Sequence, residues 1–149
     1  MKRAILILIG LLLPLLIGFL LSNWSMGWQL FLRGRLNGIG LAVLALWFVT
    51  GMISMKFFTS KREALLLLNT APILIALLVL FQILVLGRFL GNIVGMASQF
   101  FYLPLMGLTS GLLSVLPLPV ISMTMISFVS LGLLILASWF GICFGKSRA

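Results

Sequence analysis

Long uncharged hydrophobic runs, separated by short clusters of basic residues, dominate this chain. Four runs are long enough to cross a hydrocarbon core about 30 Å thick as helices, at about 1.5 Å per residue. They cover residues 4–21, 38–55, 64–86 and 120–144. Backbone polar groups in lipid must be paired within their own segment, which favours helices. The pattern predicts an all-α integral membrane protein with four transmembrane helices, organised as a single multi-span domain over residues 1–149.

The stretch between the third and fourth runs is apolar but is broken by Pro104, Pro117 and Pro119. The segments before and after Pro104 would reach roughly 22 and 18 Å as helices, so neither covers the hydrocarbon core alone. We therefore expect a re-entrant or short helical hairpin over about 89–116, which turns at residues 102–104 and returns to the side from which it came. One full crossing, which would make five spans, is the alternative.

Basic residues distinguish these two topologies, because Lys and Arg concentrate in cytoplasmic loops. Four spans with a returning hairpin place seven basic residues on the side of both termini: Lys2, Arg3, Lys56, Lys61, Arg62, Lys146 and Arg148. Arg33, Arg35 and Arg88 then lie on the other side. Five spans would divide the basic residues equally. The asymmetry predicts that both termini are cytoplasmic, in the plasma (inner) membrane of a prokaryote.

Aromatic residues follow the first run at helical spacing. Trp24, Trp28 and Phe31 precede Arg33 and Arg35. Aromatic rings favour the headgroup level of a bilayer and arginines favour water. This order predicts a short helix on the membrane surface, and an ordinary loop with interfacial anchors is the alternative.

The composition removes most catalytic chemistry. There is one acidic residue, Glu63, against ten Lys and Arg, and there is no His. General acid–base catalysis, nucleophilic catalysis and proton-coupled transport all need titratable groups that this chain lacks. The single Cys143 excludes an intrachain disulfide and a Cys-only metal site. We therefore predict that the protein is not an enzyme and has no catalytic residue, metal or cofactor.

The formal net charge of +9 would indicate nucleic acid as the partner of a soluble protein. Here the basic residues lie between hydrophobic runs, where they orient the chain and contact lipid phosphates. The predicted partners are therefore membrane lipids, of anionic type, and other membrane protein subunits or further copies of this chain. No nucleic acid partner is predicted.

The single acid follows Lys61 and Arg62 at the start of the third run. Thr59 or Ser60 is predicted to cap the third helix. Glu63 then falls in the first turn, where a carboxylate interacts favourably with the positive end of the helix dipole. This structural role accounts for Glu63 without catalysis.

Polar residues inside the third run lie near a proline. Asn69 and Thr70 precede Pro72, and Gln82 lies near the end of the run. We interpret this group as a kink that supplies its own hydrogen-bonding partners. Contact with a polar substrate is the alternative, because polar side chains within membrane segments are often functional.

Small residues recur at helical spacing in two places and predict close helix packing, since they let helix backbones approach one another. The first set is Gly87, Gly91, Gly95, Gly107 and Gly111, and the second is Ser127, Ser130, Ser138, Gly141 and Gly145. We expect the two faces to pack on each other within the monomer. Packing against another subunit is the alternative.

Three functions are compatible with this sequence, and the favoured one is an accessory or scaffold subunit of a larger membrane assembly. That role requires spans and packing faces but no chemistry. The second is a small oligomeric channel, an uncoupled transporter or a holin-like pore, in which a polar stripe of Thr124, Ser127, Ser130 and Gln82 would face a lumen.

The third function is the handling of anionic lipid. Arg33, Arg35 and Arg88 are the candidate headgroup contacts. They are assigned to the same side of the membrane in the four-span topology.

Overall fold

The computed structural model describes residues 2–32, 36–58, 60–88, 90–115 and 122–145. Five helices form this part of the chain: α1 (Lys2–Leu32), α2 (Leu36–Ser54), α3 (Lys61–Leu84), α4 (Ile93–Leu113) and α5 (Met123–Phe144). It contains no strand, so the predicted all-α fold is confirmed for these residues.

Three of the five helices, α3, α4 and α5, are long and apolar enough to cross a membrane. The apolar segments described within α1 and α2, Ile7–Ser22 and Gly38–Ser54, are shorter. Large apolar side chains point outward: Leu16, Leu74 and Leu136 are all more than half exposed. Apolar surface of this extent matches a lipid environment better than water.

Side-chain caps define the starts of three helices. The Ser60 hydroxyl accepts the Glu63 N–H at the start of α3, as predicted, with Glu63 in the first turn. The Asn92 side chain accepts the N–H of Gly95 at 3.1 Å at the start of α4. The Ser122 hydroxyl accepts the N–H of Met125 at 3.2 Å at the start of α5. Each cap satisfies an N–H that has no partner inside its helix. Thr59, the other predicted cap of α3, lies outside the described residues.

The α1 helix is longer than the first hydrophobic run. It continues through Leu32 rather than ending near residue 21, so the backbone up to that point is neither a loop nor a separate helix. The side chains of Trp24, Trp28 and Phe31, together with Arg33 and Arg35, lie outside the described part.

The predicted hairpin turn at residues 102–104 was wrong, because α4 runs without a break from Ile93 to Leu113 with Pro104 inside it. Proline has no N–H, so Pro104 leaves the Phe100 carbonyl without its donor inside the helix. A membrane helix tolerates this when a neighbouring helix covers the free carbonyl. The Phe100 carbonyl lies against Gly18 of α1, so a neighbouring helix covers the position where the intrahelical hydrogen bond is missing.

Contacts between α2 and α5 show that these two helices run parallel. A Cβ placed on Gly141 would overlap the Phe48 carbonyl, and one on Gly145 would lie 2.8 Å from the Met52 carbonyl oxygen and 2.9 Å from Met55 Cβ. Residue numbers therefore rise together along the two helices.

The beginning of α1 lies at the same end of the bundle as the end of α2. Ile5 and Ile9 line a pocket together with Ile53, Ser54 and Phe58. The end of α5 lies there too, through Gly145, and α3 starts there after a short link. We call this the basic end, because the exposed residues Lys56, Lys61 and Arg62 lie in the α2–α3 link and the first turn of α3.

The segment between α3 and α5 begins and ends away from the basic end. The α3 helix runs away from that end, whereas α5, parallel to α2, runs toward it. The segment from residue 85 to residue 122 therefore begins and ends at the opposite end of the bundle, and α4 within it packs against α1 and α2. Among the described residues, one continuous helix replaces the predicted helical hairpin. Residues 116–121 of the α4–α5 link lie outside the described part.

Candidate functional site

A glycine of α1 covers a carbonyl that a proline has left free in α3. Pro72 has no N–H, so the Leu68 carbonyl lacks its donor inside the helix. Gly10 lies on this carbonyl, and a Cβ placed on Gly10 would be 2.7 Å from the Leu68 oxygen. Any larger residue would have to push α1 and α3 apart.

The same arrangement occurs two helical turns later on α1. Gly18 lies on the Phe100 carbonyl that Pro104 frees in α4, and a Cβ on Gly18 would overlap that oxygen. Gly10, Pro14 and Gly18 are all buried and are spaced by four residues, so they form one face of α1. This face was not among the predicted packing residues. The signal that could have revealed it was the regular spacing of Gly10, Pro14 and Gly18 in a chain with prolines inside two further runs.

Asn69 forms the centre of a buried polar junction between three helices. Its Nδ2 donates to the Ser138 hydroxyl at 2.8 Å and to the Leu65 carbonyl at 2.9 Å. The Trp47 Nε1 donates to the Asn69 Oδ1 at 3.4 Å. The junction joins α2, α3 and α5, and Trp47, Asn69 and Ser138 are at most 2% exposed. Polar groups in such a position are costly unless they are paired, and these are paired with one another.

Tyr102 and Gln82 join α3 to α4. The Tyr102 hydroxyl donates to the Pro72 carbonyl at 2.6 Å. The Gln82 Nε2 donates to the Ser98 hydroxyl at 3.1 Å, and its Oε1 accepts the Leu90 N–H at 2.9 Å. Both side chains are fully buried. The sequence pattern predicts that the polar groups of the third run supply their own partners, but Asn69 and Gln82 bond mainly to other segments of the chain.

The first predicted glycine face does not form. Gly87 has a φ of 64° in the α3–α4 link, and Gly91 lies in the same link. A Cβ on either would meet no described atom within 4 Å. Gly95 is buried in the first turn of α4, where it packs against Leu90 of its own link. The prediction failed because α4 begins only at Ile93, so the four-residue spacing does not follow one helix face.

Gly111, Gly141 and Gly145 do not bring the two predicted small-residue faces together. Gly141 and Gly145 of α5 lie against α2 rather than α4, while Ser127, Ser130 and Ser138 are buried. On α4, Gly107 is half-buried. Gly111 is exposed, and a Cβ placed there would meet no described atom within 4 Å.

Ser130 differs from the other buried hydroxyl groups. Its Oγ is the one buried side-chain polar atom, among the described residues, that has no hydrogen-bond partner. Ser127, one turn earlier, donates to the Met123 carbonyl at 2.9 Å. An unpaired buried hydroxyl destabilises the folded state, because no hydrogen bond replaces the hydration that it loses on burial.

A pocket of about 190 Å³ lies at the basic end, between the start of α1 and the end of α2. Its lining residues are Ile5, Ile9, Thr50, Ile53, Ser54, Phe57 and Phe58. The two polar residues of this lining donate their hydroxyl hydrogens to carbonyls of α2. Thr50 donates to the Leu46 carbonyl at 2.8 Å, and Ser54 donates to the Gly51 carbonyl at 2.6 Å. The pocket therefore offers a bound molecule an apolar wall.

The remaining candidate residues are not gathered into a site by the described structure. Arg88 is exposed in the α3–α4 link, at the opposite end, and Cys143 is exposed near the end of α5. No group of three or more His, Cys, Asp or Glu residues occurs in the part of the chain that the structure describes. Comparison with protein-family models, curated proteins and solved structures finds no match to this chain.

Proposed function

We propose that this protein is a non-enzymatic accessory or scaffold subunit of a larger membrane assembly. The observation that carries the proposal is the open position of Gly111 on α4, with Gly107 one turn before it. Ser110 and Ser114 extend the same small-residue face. A partner helix can bring its backbone close to such a face, because no side chain holds it away.

The energetics of helical glycine support an external contact. Glycine inside a helix costs roughly 0.5–1 kcal/mol relative to alanine. At Gly141 this cost is offset by the close approach of α2, which a larger residue would prevent. At Gly111 no described residue supplies a comparable contact. A partner subunit that packs on α4 would supply one.

The inward placement of polar groups supports a scaffold over an oligomeric channel, an uncoupled transporter or a holin-like pore. Gln82, Ser127 and Ser130 have no exposed surface, and Thr124 is half-buried. The Gln82 amide and the Ser127 hydroxyl already bond within the chain. A lumen between subunits would need these groups on the outer surface of the bundle.

A role without catalysis is also supported by the position of the one acid. Glu63 lies in the first turn of α3, where the Ser60 cap and the helix dipole account for it. Since the sequence has no His and no second acid, a pair of carboxylates or a His–carboxylate pair would need a residue from another chain.

We further propose that α1, α2, α3 and α5 cross the plasma membrane of a prokaryote, with both termini in the cytoplasm. The support is that the start of α1, the end of α5 and the α2–α3 link lie together at the basic end. Lysine and arginine favour the cytoplasmic side. The segment with α4 then occupies the opposite half of the bundle.

Reporter fusions after Arg35, after Lys61 and at the C-terminus test this topology. We expect the first to report the outside, and the second and third to report the cytoplasm. A C-terminal reporter on the outside, with Lys61 inside, would contradict the topology and favour five crossings.

Native mass spectrometry of the chain, extracted from its own host membrane in mild detergent, tests the scaffold proposal. We expect a complex with at least one different polypeptide in fixed proportion. The variant Gly111→Leu should lose that partner, whereas the control Ala45→Leu should keep it, because Ala45 is an exposed small residue on α2. A complex of this chain with itself would favour the channel, and a monomer in every extract would reject both.

A further inference from the structure

The pocket at the basic end is open on the outer surface of the bundle. Ile5, Ile53 and Phe57 on its rim are each about half exposed, whereas Ser54 and Phe58 at its floor are buried. At about 190 Å³ it is somewhat larger than a cavity of about 150 Å³ that binds benzene. Its size and its apolar wall suit a short length of one hydrocarbon chain.

The turn that forms the floor of the pocket also carries charge. Lys56 lies between Met55 and Phe57 in a turn held by hydrogen bonds from the Lys56 N–H to the Ile53 carbonyl and from the Phe57 N–H to the Ser54 carbonyl. Met55 is buried and Lys56 is exposed. The apolar floor and the lysine are therefore fixed on the same turn.

Two more basic residues follow within the first turn of α3. Lys61 and Arg62 are exposed, and Glu63 is the one acid beside them, so the three basic residues leave a local excess of two positive charges. The start of α3 adds the positive end of a helix dipole. An apolar slot next to a positive rim matches a molecule with a hydrocarbon chain and an anionic head.

We propose that the pocket between α1 and α2 binds one acyl chain of an anionic phospholipid, whose phosphate contacts Lys56 and the start of α3. This site differs from the headgroup contacts considered for Arg33, Arg35 and Arg88, and Arg88 lies at the other end of the bundle. The proposal does not depend on the scaffold function. A bound lipid would fill the space that the described residues of α1 and α2 leave open between them.

Native mass spectrometry of the purified chain, titrated with phosphatidylglycerol or with phosphatidylcholine of the same acyl chains, tests the charge requirement. We expect tighter binding of phosphatidylglycerol. Lys56→Gln should weaken it about fivefold, as expected for one basic residue near a membrane surface. Lys56→Arg, which keeps the positive charge, should leave the affinity unchanged. Equal binding of the two lipids, or equal loss in both variants, would overturn the proposal.

Variants that fill the pocket with a larger side chain test whether the acyl chain binds there. Ile53→Trp should weaken binding of both lipids, whereas Leu74→Trp should not, because Leu74 is exposed on α3 and does not line the pocket. If Ile53→Trp lowers the thermal unfolding midpoint, Ile5→Trp fills the same pocket from α1. Unchanged lipid binding in a folded pocket variant would overturn the proposal. So would displacement of the lipid by inorganic phosphate, because that result would indicate an anion site without a chain.

Discussion

Gly18 and Gly111 are both helical glycines in an apolar chain, yet their surroundings are opposite. A Cβ on Gly18 would overlap the Phe100 carbonyl, whereas one on Gly111 would meet no described atom within 4 Å. Regular spacing marks both positions as small-residue faces. The difference lies in the facing helix: Gly18 meets a carbonyl freed by a proline, and Gly111 meets nothing within the described chain. Spacing identifies a face that can pack closely, and the partner decides whether the contact is internal.

The largest loss of stability should come from a substitution on the buried face of α1 that contains Gly18. Gly18→Ala should destabilise the protein by about 1–3 kcal/mol, because the new methyl group forces α1 away from α4. Gly111→Ala should be neutral or should stabilise the isolated chain by up to about 1 kcal/mol, since alanine favours helix. Unfolding of the purified variants in detergent measures both. Equal changes in the two variants would remove the distinction between inner and outer glycines.

The polar junction at Asn69 allows a similar comparison, between a polar group that bonds across helices and one that bonds within its own helix. Asn69→Leu should cost about 1–3 kcal/mol, because the buried Trp47 N–H loses its acceptor. Thr70→Val should stay within about 0.5 kcal/mol of the wild type, since the Thr70 hydroxyl bonds only to the Leu66 carbonyl of its own helix. Unfolding of the purified variants in detergent measures both changes in stability. A stable Asn69→Leu variant would show that the junction contributes little.

The smallest loss of stability should come from a substitution of Glu63. Glu63→Gln removes a favourable interaction with the start of α3, which for a solvated group contributes on the order of 0.3–1 kcal/mol and less in salt. We expect normal insertion, abundance and activity in a complementation assay in the native host. Complete loss of function at normal protein levels would mean that Glu63 performs chemistry, and it would favour coupled transport over a scaffold.

Local structure could be predicted because lipid leaves the backbone few choices. Uncharged runs must pair their own N–H and C=O groups, so the positions of α2, α3 and α5 follow from the runs to within a few residues. Residue type limits the cap of α3 to Thr59 or Ser60, and the structure has Ser60 in that position.

Contacts between distant segments could not be predicted in the same way. The carbonyl that Pro104 frees in α4 is covered by Gly18, which lies far away in the sequence. The same holds for the pairing of Asn69 with Ser138. Residue type shows that a polar or small residue needs a partner, but only the packing of the helices shows which partner it has.

We expect the face of α4 that carries Gly111 to meet protein, while other exposed faces of the bundle meet lipid. A photo-crosslinking amino acid placed at position 111, and separately at position 45, tests it most directly in cells of the native host. We predict one discrete protein adduct of constant mass from position 111 and lipid adducts alone from position 45. Lipid adducts alone from both positions, or the same protein adducts from both, would contradict the claim.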